Sequence, residues 1–342
     1  MSRVLEVNNL IQYFELSVDL LDKFSIKEGK ISINEKRVHA VNDVSFHIDA
    51  GEVYSLVGES GCGKSSTART IVKLIEPKGG SVRFLGDDIT HLSARRMLPY
   101  RKEMQMIFQD PYASLNPRQR IIDIITEPIL FHKIESTKKA AIDRAKSILE
   151  RVGISSDQAD RYPHQFSGGQ RQRIGIARAL AVDPQLIIAD EPVSALDVSI
   201  QAQILNLLMD LKDEYGFSYL FIAHDLSVVR HISDRMGIMY LGMIVEEGPK
   251  ENVFDAPAHP YTQLLFSAVP KIEKEGEFAP IALEGEIPSP IHLPPGCLFA
   301  SRCDKAMEIC KNVRPEYVTL SPGHRVRCHL YTSTGQETSI DE

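Results

Sequence analysis

The 342-residue sequence carries 39 Lys and Arg against 46 Asp and Glu, a formal net charge of −7. It therefore lacks the basic excess with which nucleic-acid binders neutralise phosphate, so no DNA or RNA partner is expected. Hydrophobic residues make up 43% and charged residues 25%, a globular composition with room for about two domains rather than that of a disordered chain.

Glu6, Glu15 and Asp19 interrupt the first twenty residues, so no secretory signal is expected. No apolar run reaches the roughly 18 residues of a bilayer span, and the longest, residues 238–245, contains Gly242. Membrane work would have to go through a partner.

Residues 4–14 read as a first strand, apolar at Val4, Leu5, Val7, Leu10 and Ile11 and ending on Tyr13-Phe14. Residues 15–37 are charged, with a turn signal at Glu28-Gly29-Lys30, and read as a surface hairpin without an assigned role. Residues 38–48 alternate apolar and polar, the pattern of a half-buried strand, and Ala50-Gly51 leads into another strand at 52–57.

Next comes Gly58-Glu59-Ser60-Gly61-Cys62-Gly63-Lys64-Ser65, which fits the phosphate-binding pattern G-x-x-x-x-G-K-[ST]. Glycines let successive backbone N–H groups turn inward on an anion, and Lys64 adds a point charge for the outer phosphates. Ser65 is a candidate magnesium ligand. A helix over 65–75, stopped before Pro77, places its positive N-terminus at the phosphates. Strand before and helix after are the setting the motif requires, so residues 58–65 read as an ATP or GTP site.

Short strands follow at 81–85 and 104–108, the latter running into Gln109-Asp110-Pro111. From about 120 to 182 the periodicity turns helical, with Ala141, Ile142, Ala145, Ile148, Leu149 and Val152 on one face and Gly153 as a stop. This reads as a helical insertion in an α/β domain. Residues 186–189 are continuously apolar and end in Asp190-Glu191, the signature of a strand buried on both faces of a parallel sheet. Its acids should face the phosphate loop across the carboxyl edge of the sheet, where ligands bind in such folds. A helix through Ile200, Ile204, Leu207, Leu208 and Leu211 leads to a strand at 219–223 that delivers His224 to the same edge.

Cys62 lies in the phosphate loop; Cys297, Cys303, Cys310 and Cys328 crowd the last fifth of the chain at C-x5-C-x6-C-x17-C. The cluster suggests a metal rather than disulfides, yet the spacing matches neither paired zinc motifs nor ferredoxin runs. Iron–sulfur, zinc and unliganded thiols stay open, with His292, His324 and His329 as substitute ligands. The prolines between 270 and 295 suggest a lobe wrapped on the core.

In order, these residues resemble the ATP-binding subunit of an ABC transporter. Walker A is residues 58–65, the Q-loop Gln109, the signature Ser167-Gly168-Gly169-Gln170, Walker B residues 186–190 followed by Glu191, the D-loop Ser194-Ala195-Leu196-Asp197 and the switch histidine His224. Phe166 departs from the usual Leu before the signature, an apolar exchange. Residues 108–118 (Phe108-Gln109-Asp110-Pro111-Tyr112-Ala113-Ser114-Leu115-Asn116-Pro117-Arg118), His259-Pro260-Tyr261-Thr262-Gln263 and the cysteine-rich tail narrow the resemblance to the oligopeptide/dipeptide importers, in the form of their second (F-type) ATPase.

The resemblance implies an α/β P-loop NTPase core over residues 1–255, with a helical subdomain at about 112–180 and a small extension over 256–342 carrying the four-cysteine site. Nucleotide would contact Gly58, Ser60, Gly61, Cys62, Gly63, Lys64, Ser65 and Ser66, with Phe14 stacked on adenine; core packing is the rival reading of Phe14. Ser65, Gln109 and Asp190 would hold Mg2+, Glu191 would act as general base, and His224 would bond the γ-phosphate. Ser167, Gly168, Gly169 and Gln170 would cap ATP bound by another chain, with Asp197 in the D-loop.

The implied assembly is a head-to-tail heterodimer with a sister ATPase, two integral membrane permeases and an extracytoplasmic solute-binding protein, at the cytoplasmic face of the membrane. Its activity would be ATP hydrolysis driving peptide uptake, with oligosaccharide or nickel import as alternatives. A soluble ABC ATPase would want a coiled coil or two cassettes, and the chain has neither. The four cysteines would hold a 4Fe-4S cluster, alternatively zinc.

Overall fold

The computed structural model describes residues 2–16, 24–27, 30–33, 36–267 and 288–332. Strand β1 (Arg3–Glu15) is followed by β2 (Phe24–Lys27) and β3 (Lys30–Ile33), an antiparallel pair that matches the expected hairpin. β4 (Arg37–Asp49) pairs with β1, and β5 (Val53–Val57) leads into the phosphate loop and helix α1 (Lys64–Ile71). Then come β6 (Gly79–Phe84), β7 (Asp87–Asp88), α2 (Ala94–Glu103) and β8 (Met104–Ile107).

The helical region is α3 (Ile121–Phe131), α4 (Lys138–Arg151) and α5 (Gly168–Leu180). It returns through β9 (Leu186–Asp190), α6 (Val198–Tyr215), β10 (Ser218–Ala223), α7 (Leu226–Ile232), β11 (Arg235–Tyr240) and β12 (Met243–Pro249). The remainder is α8 (Lys250–Asp255), α9 (Pro260–Ser267), α10 (Glu308–Asn312), β13 (Val318–Ser321) and β14 (His324–Val326).

Two sheets enclose one apolar layer. The smaller has the order β4-β1-β6-β7, and the larger β13-β14-β12-β11-β5-β10-β9-β8. In the larger, β8, β9, β10, β5 and β11 run parallel, and every residue of β5, β9 and β10 is buried. Apolar runs without alternation fold this way because both faces of a parallel sheet are covered. Leu5, Ile48, Leu56, Ile71, Ile188 and Ile222 fill one face against the smaller sheet. Ile125, Leu149, Ile174, Ile187, Leu208 and Phe221 fill the other, where the helical region packs.

α1 stops at Ile71, short of residue 75, because Lys73 turns left-handed (φ 56°) and the N–H groups of Leu74 and Ile75 fold back on the Arg69 carbonyl. α2 has no sequence signal: only Met97 is buried, and Pro99 lies inside it. The run at 238–245 is a hairpin whose turn residues, Leu241 and Gly242, both take positive φ, as the right-handed twist of paired strands favours.

The tail is more closely joined to the core than a wrapped lobe. β14 hydrogen-bonds to β12, pairing Val326 with Glu246 and Arg325 with Glu247, and so continues the main sheet. The proline-rich residues 270–287 lie outside the described residues.

Candidate functional site

The carboxyl ends of β5, β9 and β10 meet at one edge. β5 ends on the phosphate loop, whose curl depends on Gly63: it sits at φ 107°, and a Cβ there would lie 2.0 Å from the Ala40 carbonyl oxygen. Any larger residue would have to move the backbone. Lys64 is 4% exposed, and its Nζ donates to the carbonyls of Gly58 (2.8 Å) and Glu59 (3.0 Å). Cys62 is buried, which pushes its thiol pKa up, and its Sγ lies 3.7 Å from Lys64 Nζ. It takes no part in the tail cluster.

Ser65 Oγ donates to Asp190 Oδ1 at 2.7 Å, joining the loop to the end of β9. Asp190 is 1% exposed. Burial raises its pKa, while the Ser65 hydrogen bond and the Arg69 guanidinium, 4.0 Å away, oppose the rise. A buried carboxylate so held gains from a cation beside it.

Glu191 follows with φ 47°, a left-handed conformation that costs a non-glycine residue about 1–3 kcal/mol and concentrates at functional sites. The bend carries its side chain to Gln109 and His224: Gln109 Nε2 donates to Glu191 Oε2 at 2.9 Å, and His224 Nδ1 lies 3.2 Å from the same oxygen. Two side chains, 82 and 33 positions from Glu191 in sequence, thus converge on one of its carboxylate oxygens.

Ser167 caps α5. Its Oγ accepts from the Gln170 N–H, while Gln170 Oε1 accepts from the Ser167 N–H, a reciprocal capping box. Ser167 and Asp197, which caps α6, are both exposed. Gly169 is buried against α6, where a Cβ would meet Ile200 Cγ2 at 2.6 Å. Gly168 lies beside Leu196. The signature and D-loop therefore form one surface. Phe14 is 38% exposed and belongs to neither core layer among the described residues. Its neighbour Tyr13 is instead covered by Arg37 at 4.6 Å and Lys78 at 5.5 Å.

The loop residue Glu59 and its partners Arg302 and Tyr261 escaped the sequence reading. Arg302 makes a two-pronged bond to the Glu59 carboxylate, and Tyr261 Oη accepts from the Glu59 N–H. The motif holding Tyr261 was visible, but not where it points.

In the tail, Cys297, Cys303, Cys310 and Cys328 line one cavity of about 10 Å³, together with His259 and His329. All are free thiols. Burial pushes Cys297 up to about 11 and also raises Cys303 and Cys328. Of the suggested substitute ligands, His324 Nε2 binds Glu246 at 2.8 Å, and His329, on the cavity wall, has its Nε2 on the Val313 carbonyl at 2.9 Å. The thiols are the right chemistry for a soft metal. Among the described residues, however, no group of three or more His, Cys, Asp or Glu stands in a metal-holding arrangement. No helix among them is long and apolar enough to cross a membrane.

The model of the ABC transporter family matches residues 41–194, and that of the oligopeptide/dipeptide transporter C-terminal region matches residues 245–310. The chain is 51% identical to the oligopeptide transport ATP-binding protein AppF of Bacillus subtilis over 317 residues, 92% of this chain and 96% of that protein. It is 46% identical to the dipeptide transport ATP-binding protein DppF of Escherichia coli, over 88% and 89% of the two chains. Among solved structures, the ATP-binding cassette MJ0796, a dimer in a post-hydrolysis state with ADP and Pi, superposes with TM-score 0.61 at 27% identity, covering 72% of this chain and 98% of that one. The chain belongs to the ABC transporter ATPases, in the branch that carries the oligopeptide/dipeptide C-terminal region.

Proposed function

We propose that this chain is the ATP-hydrolysing motor of a peptide importer, paired head to tail with a sister ATPase on two membrane permeases at the cytoplasmic face and fed by an extracytoplasmic solute-binding protein. The observation that carries the motor reading is the convergence of Gln109 and His224 on Glu191, beside the Ser65–Asp190 pair. Peptide as cargo rests on the relatives named for oligopeptide and dipeptide transport.

In this reading the loop N–H groups of residues 58–63 and Lys64 bind the phosphates of ATP. Ser65, Asp190 and Gln109 would hold Mg2+, which when bound would neutralise charge at the transferring phosphoryl group. Glu191 orients and deprotonates the attacking water, which the positioning logic of phosphoryl transfer requires. His224 bonds the γ-phosphate, and Phe14 stacks on adenine. Ser167 and Gly168 cap the partner chain's ATP through the exposed start of α5, so closure depends on nucleotide and hydrolysis releases it. Tyr112, 65% exposed beside the Gln109 loop, offers a contact for a permease.

The same reading divides the chain into a nucleotide-binding domain over 1–255, its helical subdomain at about 112–180, and an extension over 256–342. It places a soft metal, 4Fe-4S or alternatively zinc, at the four thiols, supported by their shared cavity and not by their present spacing. Anaerobic purification followed by iron, sulfide and zinc analysis decides between them. For the motor, the full complex in proteoliposomes should take up labelled peptide with ATP, and Glu191→Gln should stop uptake while ATP stays bound. Uptake at the wild-type rate in that variant counts against the base; ATP-driven uptake of another solute, with none of peptide, counts against the cargo.

A further inference from the structure

Glu59, the second residue of the phosphate loop, is tied from two sides by the region after residue 255. Its backbone N–H donates to Tyr261 Oη at 3.0 Å. Its carboxylate accepts two bonds from Arg302, Nη1 to Oε2 at 3.0 Å and Nη2 to Oε1 at 3.1 Å. The Arg302 side chain is 3% exposed, and its Nη1 also reaches Tyr240 Oη at 3.4 Å. The guanidinium carbon lies 5.8 Å from the ring centres of Tyr240 and Phe299.

Tyr261 is anchored in turn. Its N–H donates to His259 Nδ1 at 3.0 Å, and the N–H groups of Ala258 and His259 donate to the fully buried Glu246 carboxylate at 2.9 and 2.8 Å. The other end of Glu59 meets the phosphate-binding lysine, since its carbonyl accepts from Lys64 Nζ.

We propose that Arg302 and Tyr261 are positioning residues for ATP: they neutralise and orient Glu59 so that the phosphate loop can accept a polyanion. A free carboxylate in this loop would repel phosphate, and Glu59 lines the open cleft of about 260 Å³ next to Ser60 and Gly61. A two-pronged guanidinium bond in a little-exposed place cancels that charge far better than a surface pair would. Tyr261 fixes the Glu59 peptide, and through it the carbonyl that Lys64 grips. His259, Tyr261 and Arg302 thus act on the phosphate loop through Glu59, from some 200 residues downstream, without touching nucleotide themselves.

The inference rests on residues 58–65 being the ATP site, which binding of ATP by the wild-type chain tests by itself. The test proper is titration of the full chain with a fluorescent ATP analogue, alongside hydrolysis at saturating ATP in the assembled complex. Arg302→Ala should weaken ATP about tenfold, and Tyr261→Phe about threefold. The kcat of both should stay within about twofold, because the lost interaction is equal in ground and transition states. Adding Glu59→Gln to Arg302→Ala should restore most of the affinity, since the unpaired charge is gone; a merely structural role for Arg302 would show no such recovery. Arg302→Lys should fall between wild type and Ala, and it serves with Tyr261→Phe if Arg302→Ala does not fold. Wild-type affinity in Arg302→Lys and Tyr261→Phe, or a double variant no better than Arg302→Ala, overturns the proposal.

Discussion

The edge holding Ser65, Asp190, Glu191 and His224 and the tail contacts holding Arg302, Tyr261 and the four cysteines differ in how their residues come together. At the edge, each side chain is delivered by the end of a parallel strand, by the loop after it or, for Ser65, by the first turn of the helix that the loop leads into, so strand order largely assembles the site. In the tail, Glu59 and Arg302 meet 243 positions apart, through turns and short helices that no repeating pattern specifies. A site built on a sheet edge tolerates variation in its surroundings; one built from turns depends on each turn. The chemistry should therefore break at single edge residues, and the tail should modulate it.

The largest effect is expected at the edge. Glu191→Gln keeps the side-chain shape and the Gln109 contact but removes the base, so kcat for hydrolysis should fall about 10³-fold with ATP affinity retained. Hydrolysis measured in the assembled complex checks this, and a fall under tenfold would assign the base elsewhere. Gly63→Ala drives a Cβ into the Ala40 carbonyl and should abolish ATP binding together with about 2–3 kcal/mol of stability, readable by equilibrium unfolding.

The counterpart in the tail is Gly296→Ala, whose Cβ would meet the Cys310 carbonyl oxygen at 2.2 Å. This should disturb the segment running to Arg302 and weaken ATP by about tenfold, while kcat at saturation stays near wild type. Should kcat fall as far as it does for Glu191→Gln, the contrast between the two regions is wrong.

A smaller effect is expected from pH. Burial lowers His259 from 6.5 to about 4, so above pH 6.5 the imidazole is neutral in both folded and unfolded chains and its full contribution is present. As pH falls from 6.5 towards 4, the unfolded chain binds the proton first and stability drops. The drop between pH 7 and pH 5 should be about 2 kcal/mol, and His259→Gln should flatten it. Urea unfolding at the two pH values measures this, and an equal slope in both proteins would place the titration at another group.

Much of the edge was legible because its constraints are written in residue types. Gly63 is needed for a backbone that approaches another strand, Ser65 and Asp190 end up bonded, and the unbroken run before Asp190 could only be a doubly buried strand. The hairpin at 24–33 and the capping of α5 by Ser167 and Gln170 followed from local turn and cap chemistry in the same way. The place of Glu191 at the strand end was legible but its strained backbone was not, since a positive φ leaves no trace in a non-glycine position.

The tail was read less well. The bonds of His324 to Glu246 and of His329 to the Val313 carbonyl had no signal in the sequence. α2 carries no apolar stripe, and Arg302 is one basic residue among many until Glu59 is set beside it. β14 was invisible because a three-residue strand takes its identity from the strand it joins.

The pairing of β14 with β12 bears on which strand edge of the main sheet is left open. β12 spans seven residues, six of them buried, and without β14 and the residue after it the N–H and C=O groups along Val245–Glu247 would be left bare. Such an edge invites another chain to add a strand. β14, itself covered by the four-residue β13 with its partly exposed side chains, leaves only a short and poor template outermost. β13 and β14 thus act as a selvage on the sheet, and a chain cut before residue 318 should aggregate even with its phosphate loop intact.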